Sequence, residues 1–93
     1  MKVSFLISQY SNIKTKIGNL KAFSFTGACN ANGYVTIPAS ENGCAVIYSA
    51  VTTTQNTIPS LLYNQYGIWY VKFVKSDGTP WTSGNFTVYC LGA

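Results

Sequence analysis

From residue 22 onward, apolar and polar side chains alternate with a period of two, in short runs broken by turn-forming residues roughly every ten positions. That period belongs to strands, whose successive side chains point to opposite faces, and it excludes a helical body for this part of the chain. The clearest run is Ile68 to Val74: Trp69, Val71 and Phe73 fall on one side, Ile68, Tyr70, Lys72 and Val74 on the other. The first set reads as core, and Trp69 belongs with it.

The other runs follow the same logic. Phe23 and Phe25 alternate with Ser24 and Thr26, and Asn32-Gly33 then reads as a hairpin turn with positive φ at both central positions, leading into Tyr34 to Ile37. Pro38 stops that strand. Glu41-Asn42-Gly43 turns the chain into Cys44 to Val51, whose apolar character predicts a central strand. Leu61 to Tyr63 reads as a short strand after Pro59, and Asn64-Gln65-Tyr66-Gly67 as the next turn. Ser76-Asp77-Gly78 closes the Ile68 run, and after a loop carrying Trp81 the last strand, Phe86 to Leu91, sets Phe86, Val88 and Cys90 against Thr87 and Tyr89. About six strands of this kind make a small antiparallel β-sandwich or jelly roll.

Residues 1–21 follow another period. Val3, Leu6, Tyr10, Ile13, Ile17 and Leu20 are spaced three and four apart in alternation, the seam of a heptad repeat. The chain therefore divides into a short coiled-coil-like amphipathic stem helix, 1–21, which serves oligomerisation, and a β-sandwich head, 22–93. Ser8, Ser11, Asn12, Thr15 and Gly18 are mediocre or poor helix formers, so this helix needs partners or packs on its own head.

Composition narrows the function. The 93 residues allow one modest core, and charged residues are only 9% of the chain, so the surface is built from Ser, Thr, Asn, Gln and Tyr. Such a surface suits recognition by hydrogen bonding and stacking, or self-association. Six Lys and two acids give a net charge of +4, four of those Lys lying at positions 2, 14, 16 and 21, and the chain has no Arg, which speaks against nucleic acid as the favoured partner. Cys29, Cys44 and Cys90 form no metal or redox spacing and read as buried free thiols of a chain folded in a reducing cytoplasm. Val3 to Ile7 is too short for a signal peptide, and no apolar run approaches the roughly 20 residues that cross a bilayer.

The chemistry of catalysis is scarce. There is no His, and Glu41 and Asp77 each sit in a turn beside Asn or Gly, where a carboxylate ordinarily bonds the local backbone. Neither a paired-carboxylate site nor an activated cysteine is legible, and no metal or cofactor is expected. The reading is of a protein that binds and is not an enzyme. Aromatics in or beside loops remain as its means: Tyr63, Tyr66, Trp69, Tyr70 and Trp81, near Asn64, Gln65 and Asn85. Of these, Tyr63, Tyr66, Trp81 and Asn85 are the ligand-binding candidates, with Trp81 either capping the core or presented for stacking on a sugar ring.

A heptad stem leading into a Phe-Ser-Phe-Thr strand, an Asn-Gly turn, a Gly-Ile-Trp-Tyr-Val-Lys strand and a closing Phe-Thr-Val-Tyr-Cys-Leu strand resembles the C-terminal tips of phage and prophage tail-fibre and minor structural proteins of Gram-positive bacteria. The resemblance covers residues 3 to 91. It implies a β-sandwich head behind a trimeric coiled coil, a homotrimer in a virion or phage-like particle, and recognition of a cell-surface carbohydrate. Two other readings stand beside it: a single-stranded nucleic-acid binder on a small β-barrel using Lys72 and Lys75 for phosphates, and a cytoplasmic scaffold or inhibitor that occupies a protein surface.

Overall fold

The computed structural model describes residues 18–93, which form six strands and one short 3-10 turn: β1 (Lys21–Ala28), β2 (Tyr34–Ile37), the turn Ser40–Asn42, β3 (Ile47–Thr52), β4 (Ile58–Gln65), β5 (Ile68–Val74) and β6 (Asn85–Gly92). They pair into two antiparallel three-stranded sheets, β1-β6-β3 and β2-β5-β4, packed as a β-sandwich. The central strands are β6 and β5. On β6 the alternation is complete: Phe86, Val88, Cys90 and Gly92 are buried, Asn85, Thr87, Tyr89 and Leu91 exposed. On β5 Val71 and Phe73 are buried and Trp69 is half-buried, with its indole N–H donating to the Ala45 carbonyl at 3.2 Å.

The core lies between these strands. Phe73 and Phe86 meet with ring centroids 5.3 Å apart, surrounded by Val35 and Ile37 from β2, Ile47 and Ala50 from β3, and Val88 and Cys90 from β6. Both sheets contribute one face, as the alternation requires.

Several expectations are corrected. Lys21 belongs to β1, opposite Gly92, and its Nζ donates to the Gly43 carbonyl at 2.8 Å, so the β-domain starts before residue 22. Leu20 precedes β1 outside any helix and is exposed. Val3, Leu6, Tyr10, Ile13 and Ile17 lie outside the described residues.

Asn32-Gly33 does not close a hairpin. β1 pairs with β6 and β2 with β5, so this turn carries the chain from one sheet to the other. Only Gly33 of the pair has positive φ, at 83°. The Asn30 carboxamide oxygen shapes the turn by accepting from the N–H groups of Asn32 and Tyr34 at 2.9 and 3.0 Å.

The Cys44 to Val51 run is an edge, not a centre. Its first residues bond to the chain terminus, Ala45 and Val46 donating to the Ala93 carbonyl, and its apolar character comes from Cys44, Ile47 and Ala50 filling the core. A register shift at Tyr48 then leaves Tyr48 and Val51 exposed. β4 is longer than its apolar residues suggest; it contains Pro59, admissible because β4 is an edge strand. The turn before β5 shrinks to Tyr66-Gly67, both with positive φ (54° and 82°), the geometry of a two-residue type I′ hairpin.

Gly33 is where a side chain is least tolerable. It has a left-handed φ, its carbonyl accepts from the Phe73 N–H at 2.9 Å, and an added Cβ would lie 2.5 Å from the Phe73 carbonyl oxygen. Gly78 has a similar φ of 88° but nothing within 4 Å of such a Cβ. Gly33→Ala should therefore cost more than about 1 kcal/mol, and clearly more than Gly78→Ala, in urea unfolding midpoints.

Candidate functional site

Since Val71 and Phe73 point inward, β5 must turn Tyr70 and Lys72 outward, and antiparallel pairing then decides their neighbours. Tyr63 of β4 stands opposite Tyr70, and Tyr34 of β2 opposite Lys72. The rings form a continuous surface, with centroids 6.2 Å apart for Tyr63 and Tyr70 and 6.5 Å for Tyr34 and Tyr63. Lys72 lays its Nζ 5.6 Å from the centre of the Tyr34 ring. Asn30, Asn32 and Gln65 complete a shallow depression of about 320 Å³ over these three tyrosines. It offers flat apolar faces, three phenol hydroxyls and three carboxamides in one place. Because the Asn30 oxygen is held by the turn, its NH₂ end is the part left to meet a ligand.

The four ligand candidates read from the sequence are not one surface. Tyr63 belongs to the tyrosine face. Tyr66 stands beyond it at the tip of the β4–β5 turn, 94% exposed. Trp81 lies at the opposite end of β5, where its backbone N–H donates to the Phe73 carbonyl at 3.3 Å and its indole packs edge-on against Phe86 at 5.5 Å. Lys75 covers the same ring at 5.1 Å, and the indole N–H is buried with no partner among the described residues. Trp81 thus caps the core at that end. Asn85 begins β6 opposite Ala28, exposed at the same end as Trp81. Tyr34, Asn30 and Asn32 are not among the ligand candidates read from the sequence; the signal is the outward parity of Tyr34, meaningless until β2 is known to pair with β5.

Asp77 and the buried cysteines serve the fold. Asp77 has its carboxyl held below the usual range by the Thr79 hydroxyl, which donates to it at 2.6 Å, and then by the Thr79 N–H at 3.0 Å. The three cysteines are free thiols, Cys44 and Cys90 buried and Cys29 half-buried. Burial, with a smaller push from Cys44, raises the Cys90 thiol to about 11. Among the described residues no three His, Cys, Asp or Glu side chains gather as a metal set.

Two predictions arise. A folded-state pKa raised above the unfolded value means the native state holds the Cys90 proton more tightly, so this stabilisation is complete below about 9 and is lost as pH rises towards about 11. Unfolding midpoints measured across that window should fall more steeply for the wild type than for Cys90→Ala. Tyr66 takes a left-handed conformation that costs an ordinary L-residue roughly 1 kcal/mol and suits Asn far better. Tyr66→Asn should raise stability by about that amount, read from the same midpoints. Comparison with protein-family models, with curated proteins and with solved structures gives no match for this chain.

Proposed function

We propose that the domain is a non-enzymatic binding head whose tyrosine face on β2-β5-β4 takes a cell-surface carbohydrate. The observation that carries the proposal is the convergence of Tyr34, Tyr63 and Tyr70 with the carboxamides of Asn30, Asn32 and Gln65 around one depression. A sugar ring presents apolar C–H faces and a rim of hydroxyls. Rigid aromatic rings bury the faces at low entropic cost, and carboxamides can donate to and accept from the hydroxyls. A shallow site of this kind favours extended chains of sugars over a small enclosed ligand. The resemblance to tail-fibre tips extends the proposal to a receptor-binding or structural module of a phage-like particle.

Lys72 supports a second reading. An ammonium beside stacked aromatics on a sheet face is also what a single-stranded nucleic-acid site uses. Salt separates the two, since phosphate contacts make affinity fall steeply with ionic strength and neutral sugars do not.

The test is titration of the full-length protein with purified cell-wall polysaccharides of Gram-positive bacteria and with oligo(dT), each at low and high salt. Tyr63→Ala should weaken glycan binding at least tenfold, or about 1.4 kcal/mol, while Tyr89→Ala on the other sheet's outer face leaves it unchanged. Salt-sensitive binding of oligo(dT) alone would move the assignment to nucleic acid, and equal effects of the two variants would remove the tyrosine face from it.

A further inference from the structure

A sandwich of two three-stranded sheets has four edge strands, each a row of backbone groups able to pair with another chain. Three of them carry recognised obstacles. β2 is four residues long and ends at Pro38. β3 breaks its register at Tyr48. β4 contains Pro59 and breaks its register between Pro59 and Leu61. β1 carries none of these. It runs eight residues in unbroken register against β6, from Lys21 opposite Gly92 to Ala28 opposite Asn85, without proline or bulge, and its one charge is at its first residue. That charge is turned aside, because the Lys21 ammonium bonds to the Gly43 carbonyl. Among the described residues the backbone of β1 has no partner other than β6.

The side chains agree with the backbone. Phe23 and Phe25 point to the core face yet remain half-exposed, since no strand lies beyond them, and Phe25 borders an open cleft of about 430 Å³ shared with Ile37, Pro38 and Trp69. On the outer face β1 presents only Ala22, Ser24, Thr26 and Ala28, small and uncharged. The sheet behind is likewise uncharged there, with the large side chains of Tyr48, Val51, Tyr89 and Leu91 exposed.

We infer that the β1 edge pairs with β1 of a second copy of this chain, antiparallel about a two-fold axis, joining two sheets of order β1-β6-β3 into one of six strands. A second copy is the occupant the observations favour: the edge is neutral along seven of its eight residues and has no charge for a charged partner to match. Antiparallel self-pairing also keeps the two Lys21 residues at opposite ends of the new ladder, away from like-charge contact. Residues facing each other across such an axis share parity, so with Ser24 or Phe25 on the axis, Phe23 and Phe25 meet core-face residues of the partner and Ser24 and Thr26 meet outer-face residues. The isologous geometry closes on itself and leaves no β1 edge open to further growth. This pairing does not rest on the glycan reading, whose tyrosine face lies on the other sheet.

The experiment is light scattering of the full chain at high micromolar concentration, with Ser24→Lys/Thr26→Lys and Ser24→Glu/Thr26→Glu variants. Both positions are exposed on the outer face, and in either register the substitutions set like charges against each other across the axis. The wild type should have an even multiple of the chain mass, each variant alone half the wild-type mass, and an equimolar mixture of the two variants the wild-type mass again. A monomeric or trimeric wild type, a lysine variant that keeps the wild-type mass, or a mixture that does not regain it would overturn the inference. A monomer in which the β1 amides pointing away from β6 are nonetheless protected from hydrogen exchange would assign the edge to residues 1–17 of the same chain, and would overturn it equally.

Discussion

The contact between Phe73 and Phe86 is the interaction on which the rest of the head depends. Each ring lies on the central strand of its own sheet, so their packing at 5.3 Å fixes how β5 and β6 sit across the core. In a domain of this size a single well-filled layer has to supply most of the apolar burial, and truncation of such a buried ring typically costs about 3–5 kcal/mol, comparable to much of a small domain's total stability. Trp81 extends the layer by resting its edge on Phe86, which is why an exposed-looking loop aromatic becomes part of the core. Gly33 extends it at the backbone, receiving the Phe73 N–H in a space that only a glycine leaves open.

The candidate site follows from that core by parity alone. With Phe73 and Val71 inward, Tyr70 and Lys72 have no choice of face, and each neighbouring strand adds the residue its register places beside them. Tyr63 arrives from β4 and Tyr34 from β2, and the turn that delivers Tyr34 is the one built on the Asn30 carboxamide. A slip of one residue in either pairing would send these tyrosines into the interior and Val35 or Leu62 to the surface. The burial of aliphatic side chains therefore also enforces the assembly of the tyrosine face, and no separate interaction is needed to hold it together.

What the sequence revealed and what it concealed divide along the same physical line. The faces of β5 and β6 were legible, because alternation is written in consecutive residues such as Trp69-Tyr70-Val71-Lys72-Phe73. Strand partners were not, because pairing is a long-range property: β1 joins β6 across more than fifty residues of chain, and the Asn32-Gly33 signal, a good one for a local hairpin, reports only that the chain turns there. The Cys44 to Val51 run was apolar for a reason that composition does not distinguish, since an edge strand whose bulge lets Cys44, Ile47 and Ala50 reach the core looks like a central one. Of the site, Tyr63 was visible as an aromatic near a turn, whereas Tyr34 gained meaning only from the β2–β5 register. Trp81 and Asn85 were placed with Tyr63 on the strength of loop character, and the length of β5 puts them at the other end.

Low charge ties these observations together. Many β-proteins guard their edges with lysines and glutamates, but a chain with 9% charged residues has few to spend, and among the described residues Lys72 and Lys75 lie over aromatic rings while Lys21 bonds to a carbonyl. The guarding therefore falls to backbone devices: a proline and a bulge in β4, a bulge in β3, brevity and a following proline in β2. Those devices act only on the strand that contains them. With few charges among the described residues, an unobstructed β1 has little there to keep a like strand away, and the same scarcity that leaves the tyrosine face to work by stacking and hydrogen bonding leaves this edge to be decided by backbone pairing.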